Sequence, residues 1–319
     1  GKVIDIFGND LIAGKKFDNL VEVPIENEPI PIMDRGLVTR EFLTGLTSID
    51  MLYPIGRGQR QLIIGDKKTG KTQIALDAIV NQKDKNMVCI YVALGKTKKE
   101  VKDIYYDLTK RGAASYTIII ASFHDELPNR TYLTPYVALS IAESMMMDSY
   151  DVLVVIDDLK KHADVYRQIS LASKKTPGRD AYPSDIFYAH SKLLEKGCQH
   201  KNGGSITILP IVETKSSDIT DYISTNIISS PIHFIFSHSI TISSSFANIL
   251  INFFPPGTII EVILPVSKFA HTSWTKPNLF PLFIFTTSLC LKSIPLSFNI
   301  MTLPIYITSY YTFNSFMLF

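Results

Sequence analysis

The chain has 319 residues, with 32 lysines and arginines against 30 acidic residues and a formal net charge of +2. That length allows one large domain or two smaller ones, and the near-neutral balance gives no electrostatic reason to expect nucleic acid or a membrane surface as main partner. Three scattered cysteines, Cys89, Cys198 and Cys290, match no metal spacing and suit a reducing compartment better than a disulfide framework.

In chain order, "GKVIDIFGND" lacks the basic start and long apolar run of a signal peptide, and we read it as an internal point of a longer protein. It predicts a strand followed by a turn around Gly8-Asn9, and "NLVEVPIE" predicts another extended run. The segment "LTGLTSIDMLYPIGRGQ" leads into a strand at "RQLIIG". Helical periodicity follows in "KTQIALDAIVNQ", with Ile74, Ala75, Ala78 and Ile79 on one face. Next come the strand "MVCIYVAL", the charged helix "KKEVKDIYYDLTKRG" and the apolar run "YTIIIAS". The helix "YLTPYVALSIAESMMMDS" then precedes the strand "DVLVVIDDL", and its triplet Met145 to Met147 is core filling. Apolar strands separated by amphipathic helices indicate an α/β fold with a mostly parallel sheet covered on both faces.

Composition breaks near residue 230. Only four charged residues follow Ser230 (Glu261, Lys268, Lys276, Lys292), arginine ends at Arg179, and 13 of 18 phenylalanines crowd into the last stretch. The apolar runs there are short, or broken by proline, for a membrane span of about 20 residues. A soluble β-rich domain needs more charge. We therefore read 231–319 as sequence not selected to fold, such as an out-of-frame translation, after a 1–30 segment and an α/β domain over 31–230.

"GDKKTGKT" carries the chemistry. Gly65 and Gly70 are expected to take turns that a Cβ would obstruct, so that backbone N–H groups of Asp66, Lys67, Lys68 and Thr69 face a phosphate. Lys71 reaches the β- and γ-phosphates, and the Thr72 hydroxyl ligates Mg²⁺. Such a site needs a carboxylate at the end of a neighbouring strand, and Asp157, after five apolar residues, supplies it as second magnesium ligand. Asp158 points elsewhere.

Together, "PIGRGQRQLIIGDKKTGKT", "IDDLKKHADVYRQISLASKKTPGRDAYPSDIFYAHSKLLEKG" and "GSITILPIVET" resemble the alpha subunits of F-type ATP synthases from about Gly1 to about Ser230. The resemblance implies a RecA-like P-loop NTPase core that binds ATP or ADP with Mg²⁺. It implies partners too: beta-type catalytic subunits alternating with it in a hexameric ring, and a central shaft subunit. Membrane contact comes only through the complex, on the inner face of a bacterial plasma membrane or mitochondrial inner membrane. "GKVIDIFGNDL" is similar to the family's segment just past its N-terminal β-barrel.

In the family's catalytic beta subunits a glutamate beyond the next strand polarises the attacking water, and alpha subunits carry glutamine there. "VALGKTKKE" places Lys96 at that position, where a charged ammonium cannot accept a proton and either meets a γ-phosphate or sits in solvent. Glu100 is a weak alternative base, or an exposed residue pairing with Lys96 at i,i+4. Lys67 and Lys68 replace the family's Arg-Gln pair. The family's Ile-Thr-Asp-Gly-Gln run and its finger arginine do not appear after "TNIIS". Arg179, in "TPGRDAYPSD", is a candidate subunit contact or a surface ion pair, and His162 and His190 read as solvated or packed rather than ligating. The rival expectations are a catalytic ring ATPase of export or helicase type, and a structural ring element that binds no nucleotide.

Overall fold

The computed structural model describes residues 1–12, 14, 22–216, 218–229, 233–237, 250–252 and 261–263. The chain divides into two compact units, 1–239 with 254–259, and 240–253 with 260–319. In the second, the described residues form one antiparallel pair, Leu250–Asn252 with Glu261–Ile263. The sequence reading of the rest of 231–319 lies outside the described residues, apart from one strand noted below.

The first unit carries strands β1 (Lys2–Ile4), β2 (Glu41–Phe42), β3 (Ile55–Gly56), β4 (Gln61–Asp66), β5 (Met87–Lys96), β6 (Thr117–Phe123), β7 (Asp151–Asp157), β8 (Cys198–Gln199), β9 (Ser205–Thr214) and β10 (His233–Ser237). Its helices are α1 (Thr47–Leu52), α2 (Lys71–Val80), α3 (Lys98–Lys110), α4 (Pro128–Met147), α5 (Leu159–Ala172), α6 (Ile186–Leu194) and α7 (Tyr222–Ser229). The main sheet runs β1-β6-β5-β7-β9-β4-β10, all parallel, with β8 antiparallel against β9. Residues 22–26, expected to be extended, form no strand.

Burial explains the sheet. Every residue of β7 is buried, and successive side chains of a strand point to opposite faces, so both faces are covered. On the helices the apolar spacing works as periodicity predicts. Ala75, Leu76, Ala78 and Ile79 of α2 are buried, while Ile74 is half-buried. Met146 is fully buried but Met147 is exposed, so the methionine triplet fills the core only in part.

Local signals fix where helices begin. Thr97 and Glu100 form a reciprocal capping box at α3, and Asp158 accepts the Lys160 N–H at 2.7 Å as N-cap of α5. Both caps lie just beyond strand ends, so the strand-to-helix turns at the carboxyl edge are short and fixed.

Helices α4, α5 and α6 meet through two buried histidines. His162 Nε2 donates to the Tyr132 carbonyl at 3.2 Å, leaving Nδ1 to accept from His190 Nε2 at 3.2 Å. His190 Nδ1 has no hydrogen-bond partner among the described residues. These are packed histidines, and no cluster of metal-ligating side chains occurs among the described residues. Burial pushes His162 down to about 4 and His190 well below its ordinary value. The unfolded chain binds protons at both near pH 6.5 while the folded chain does not, so stability falls as pH drops from about 6.5 toward 4. Each histidine contributes a slope of up to about 1.4 kcal/mol per pH unit in that window. In urea unfolding at pH 7 and pH 5, His162→Gln, which can keep both hydrogen bonds, is expected to lose less stability on acidification than the parent. Equal losses would contradict this account.

Candidate functional site

Strand β4 feeds directly into the loop of "GDKKTGKT". Gly65 belongs to the strand, opposite Glu213 of β9, and takes no left-handed conformation. The expectation that Gly65 supplies a turn is therefore corrected: the strand continues through Asp66 and the chain turns afterwards. Gly70 makes the turn at φ +91°, with open space where a Cβ would stand, so its need for glycine is conformational. Lys68 also adopts a positive φ, 63°, an unusual backbone for a residue with a side chain.

The loop is tied down from inside. The Thr69 hydroxyl donates to the Asp66 carbonyl at 2.8 Å, the Lys71 ammonium donates to the same carbonyl, and the Thr214 hydroxyl holds the Asp66 carboxylate at 2.5 Å. Lys67 and Lys68 are exposed, whereas Lys71 is buried. Burial lowers the Lys71 pKa, against the pull of Glu213, Asp158, Asp157 and Asp66. An ammonium stripped of water in this way gains most from a second anion. The N-terminus of α2, where a helix leaves its first N–H groups without intrahelical partners, and its dipole point the same way.

Asp157 ends β7 at the carboxyl edge, as the apolar run predicts. Its strand is not the immediate neighbour of β4, however, because β9 lies between them. The carboxylate still reaches α2: the Thr72 hydroxyl donates to Asp157 Oδ2 at 2.9 Å. Two further donors converge on that oxygen, the Tyr91 hydroxyl at 2.5 Å and the Lys96 ammonium at 2.9 Å.

The register explains both. Ala93 of β5 is opposite Asp157, so Tyr91, two residues back, shares its face of the sheet. Regular alternation would then aim Lys96 at the other face. Instead β5 gains one residue against β6 between Ala93 and Lys96, and Gly95 within that bulge has φ +58°. A bulge redirects the following side chain, and here it turns Lys96 onto Asp157. Lys96 is thus not left in solvent, because its ammonium lies on Asp157.

Glu100 does not pair with Lys96. Its carboxylate accepts the Thr97 N–H at 2.7 Å and the Thr97 hydroxyl at 2.8 Å, and the N–H bond above all holds it below the usual carboxylate range. Asp158 turns away into its cap, and burial pushes its carboxyl up to about 7. Arg179 is exposed, 3.7 Å from Asp180 and stacked over Tyr222 at 5.5 Å.

The loop residues Gly65 to Thr72, Lys96 and Asp157 are thus gathered at one edge of the sheet. The hydroxyl of Thr72 beside a carboxylate is a hard-oxygen donor set that suits Mg²⁺ by type. Residues that pattern alone did not single out are Tyr91, Glu213, Thr214 and the charge effect of Asp158. A polar-tipped Tyr in an otherwise apolar strand was the available signal for the first.

A phosphate loop joining a parallel strand to a helix, with a strand-end carboxylate on the helix's first-turn hydroxyl, defines a P-loop NTPase fold of RecA-like type. Residues 45–247 match the nucleotide-binding domain of the ATP synthase alpha/beta family, and the chain belongs to that family. It is 48% identical over 233 residues to the ATP synthase subunit alpha of Acetivibrio thermocellus, covering 72% of this chain and 46% of that protein. Its identity to the subunit alpha of Mesomycoplasma hyopneumoniae is 49% over 232 residues, with 72% and 46% covered. Against subunit alpha 2 of Syntrophotalea carbinolica it is 47% over 232 residues, with 72% and 44% covered. The chain spans less than half the length of these curated relatives.

Proposed function

We propose that the chain is a regulatory, non-catalytic, alpha-type subunit of a rotary proton-transporting ATP synthase that holds ATP or ADP at Gly65 to Thr72. One observation carries the non-catalytic part: Lys96 stands where catalytic relatives are expected to place a glutamate, and it is already paired with Asp157. A charged ammonium cannot take a proton from water. Glu100, the nearest carboxylate along the chain, is occupied by the Thr97 cap and acidic, so it too is a poor base.

On this reading the Lys71 ammonium exchanges the Asp66 carbonyl for β- and γ-phosphate oxygens. The N–H groups of Lys67 through Thr72 wrap the phosphates, and exposed Lys67 and Lys68 add positive charge near the loop. Thr72 and Asp157 are the residues that would hold Mg²⁺, which when bound shields phosphate charge. Tyr91 fixes the Asp157 carboxylate from the sheet side.

Partner subunits are supported by exposed apolar side chains at Ile32, Met33 and Leu37, each more than 80% exposed. Burying such side chains favours association. A beta-type subunit and a central shaft are the partners we assign, with a peripheral place at an energy-transducing membrane. No helix among the described residues is long and apolar enough to cross a membrane.

Equilibrium titration of the full chain with Mg-ATP tests the reading, together with steady-state phosphate release. We expect saturable binding without turnover above background. Turnover that Lys71→Ala abolishes would establish a catalytic ring ATPase instead. A folded chain with no saturable binding would be a structural element without a nucleotide.

A further inference from the structure

We infer that Lys96 acts as a built-in cation at this site, so that nucleotide binding depends only weakly on Mg²⁺; the inference rests on the nucleotide-binding function proposed above. In sites of this kind the strand-end carboxylate is an anion beside a triphosphate, and a divalent cation reconciles the two. Here the carboxylate is already reconciled. Its Oδ2 takes the Lys96 ammonium at 2.9 Å, the Tyr91 hydroxyl at 2.5 Å and the Thr72 hydroxyl at 2.9 Å. Three donors fill Oδ2, so a metal-bound water would have to use the other oxygen, Oδ1, of a carboxylate whose charge is already paired.

The charge count points the same way. Lys96 and Asp157 cancel as a pair, which leaves Lys71, the α2 N-terminus and the exposed Lys67 and Lys68 against the carboxylates of Glu213, Asp158 and Asp66 near Lys71. Without Lys96 this balance would shift by one charge toward negative, against metal-free ATP, which carries more negative charge than Mg-ATP. For Mg²⁺ to use Asp157 fully, it must displace the ammonium from a half-buried ion pair, whose Lys96 side chain is only 19% exposed. The bulge at Gly95 and the Thr97 capping box fix the backbone on either side of Lys96, so its side chain starts out toward Asp157. The residue therefore sets the metal dependence of the site, as a positioning charge rather than a catalytic group.

The test is calorimetric titration of ATP into the full chain in excess Mg²⁺ and again in excess EDTA, for the parent, Lys96→Gln and Lys96→Arg. The parent is expected to lose no more than about threefold in affinity without Mg²⁺, while Lys96→Gln loses about tenfold or more, the value of one charge-assisted hydrogen bond. Lys96→Arg, which keeps the charge, stays near the parent. Direct binding of Mn²⁺ without nucleotide, followed by its paramagnetic signal, is expected to strengthen in Lys96→Gln. Equal metal dependence in the parent and Lys96→Gln overturns the role of Lys96 and leaves the nucleotide site standing. No saturable binding by the parent in either condition overturns both.

Discussion

Lys71→Ala is expected to weaken ATP binding by about a hundredfold or more, while the fold survives. The ammonium is buried and lies against the Asp66 carbonyl, and burial already lowers its pKa. Ligand phosphates would add charge-assisted hydrogen bonds at about 1.5–3 kcal/mol each, and two such bonds correspond to at least a hundredfold in affinity. The stability of the empty chain has no comparable dependence, because desolvation of the ammonium outweighs the pull of the nearby carboxylates and offsets its contact with the Asp66 carbonyl. Titration calorimetry measures the first effect and urea unfolding the second. Unchanged affinity would remove Lys71 from the phosphate site, and a large loss of stability would recast it as a structural residue.

Lys196→Met is expected to destabilise the folded chain by about 3–5 kcal/mol, because it strands Glu143 as a buried, uncompensated charge. Glu143 lies on α4 and Lys196 just after α6, with 2.8 Å between Nζ and Oε2 and side-chain exposures of 1% for lysine and 9% for glutamate. Asn27 adds a weaker bond to the same carboxylate at 3.4 Å. The double change Glu143→Leu with Lys196→Met is expected to recover most of the loss, since a well-packed apolar pair of similar volume is often as stable as the ion pair it replaces. Urea denaturation of the two variants decides. If the double variant is less stable than the single one, the pair is held by more than its charges.

These two expectations differ in how far sequence foretells them. Lys71 is legible because everything that defines it is local: an apolar strand, a glycine that must take a left-handed turn, and an amphipathic helix. Asp157 is legible for the same reason, as the polar end of an unbroken apolar run. The partnership of Lys196 with Glu143 joins residues 53 apart in sequence, and nothing local announces it. The pairing of Lys96 with Asp157 escapes local reading for a subtler reason. Its surroundings depend on one extra residue in β5 relative to β6, a non-local register shift, and strict alternation would have sent it to the opposite face. Glu100 shows the opposite case, because the Thr97-to-Glu100 spacing is a local capping signal that was open to reading as a helix start rather than as chemistry. The order of strands, with β9 between β4 and β7, was likewise beyond local pattern.

At the far end of β7, Arg40 and Arg57 both clamp Asp151, at 2.6 and 2.7 Å, and Ser205 holds its other oxygen at 2.7 Å. The strand between Asp151 and Asp157 has 7 residues, a rod of about 20 Å at ~3.3 Å per residue. Hydrogen-bonded on both sides, such a rod resists sliding along its axis. The height at which Asp157 meets Thr72 is consequently set by a rivet at the opposite rim, driven in by the very segment that leads into the phosphate loop. Inheritance of this geometry thus depends on two arginines that never approach the nucleotide.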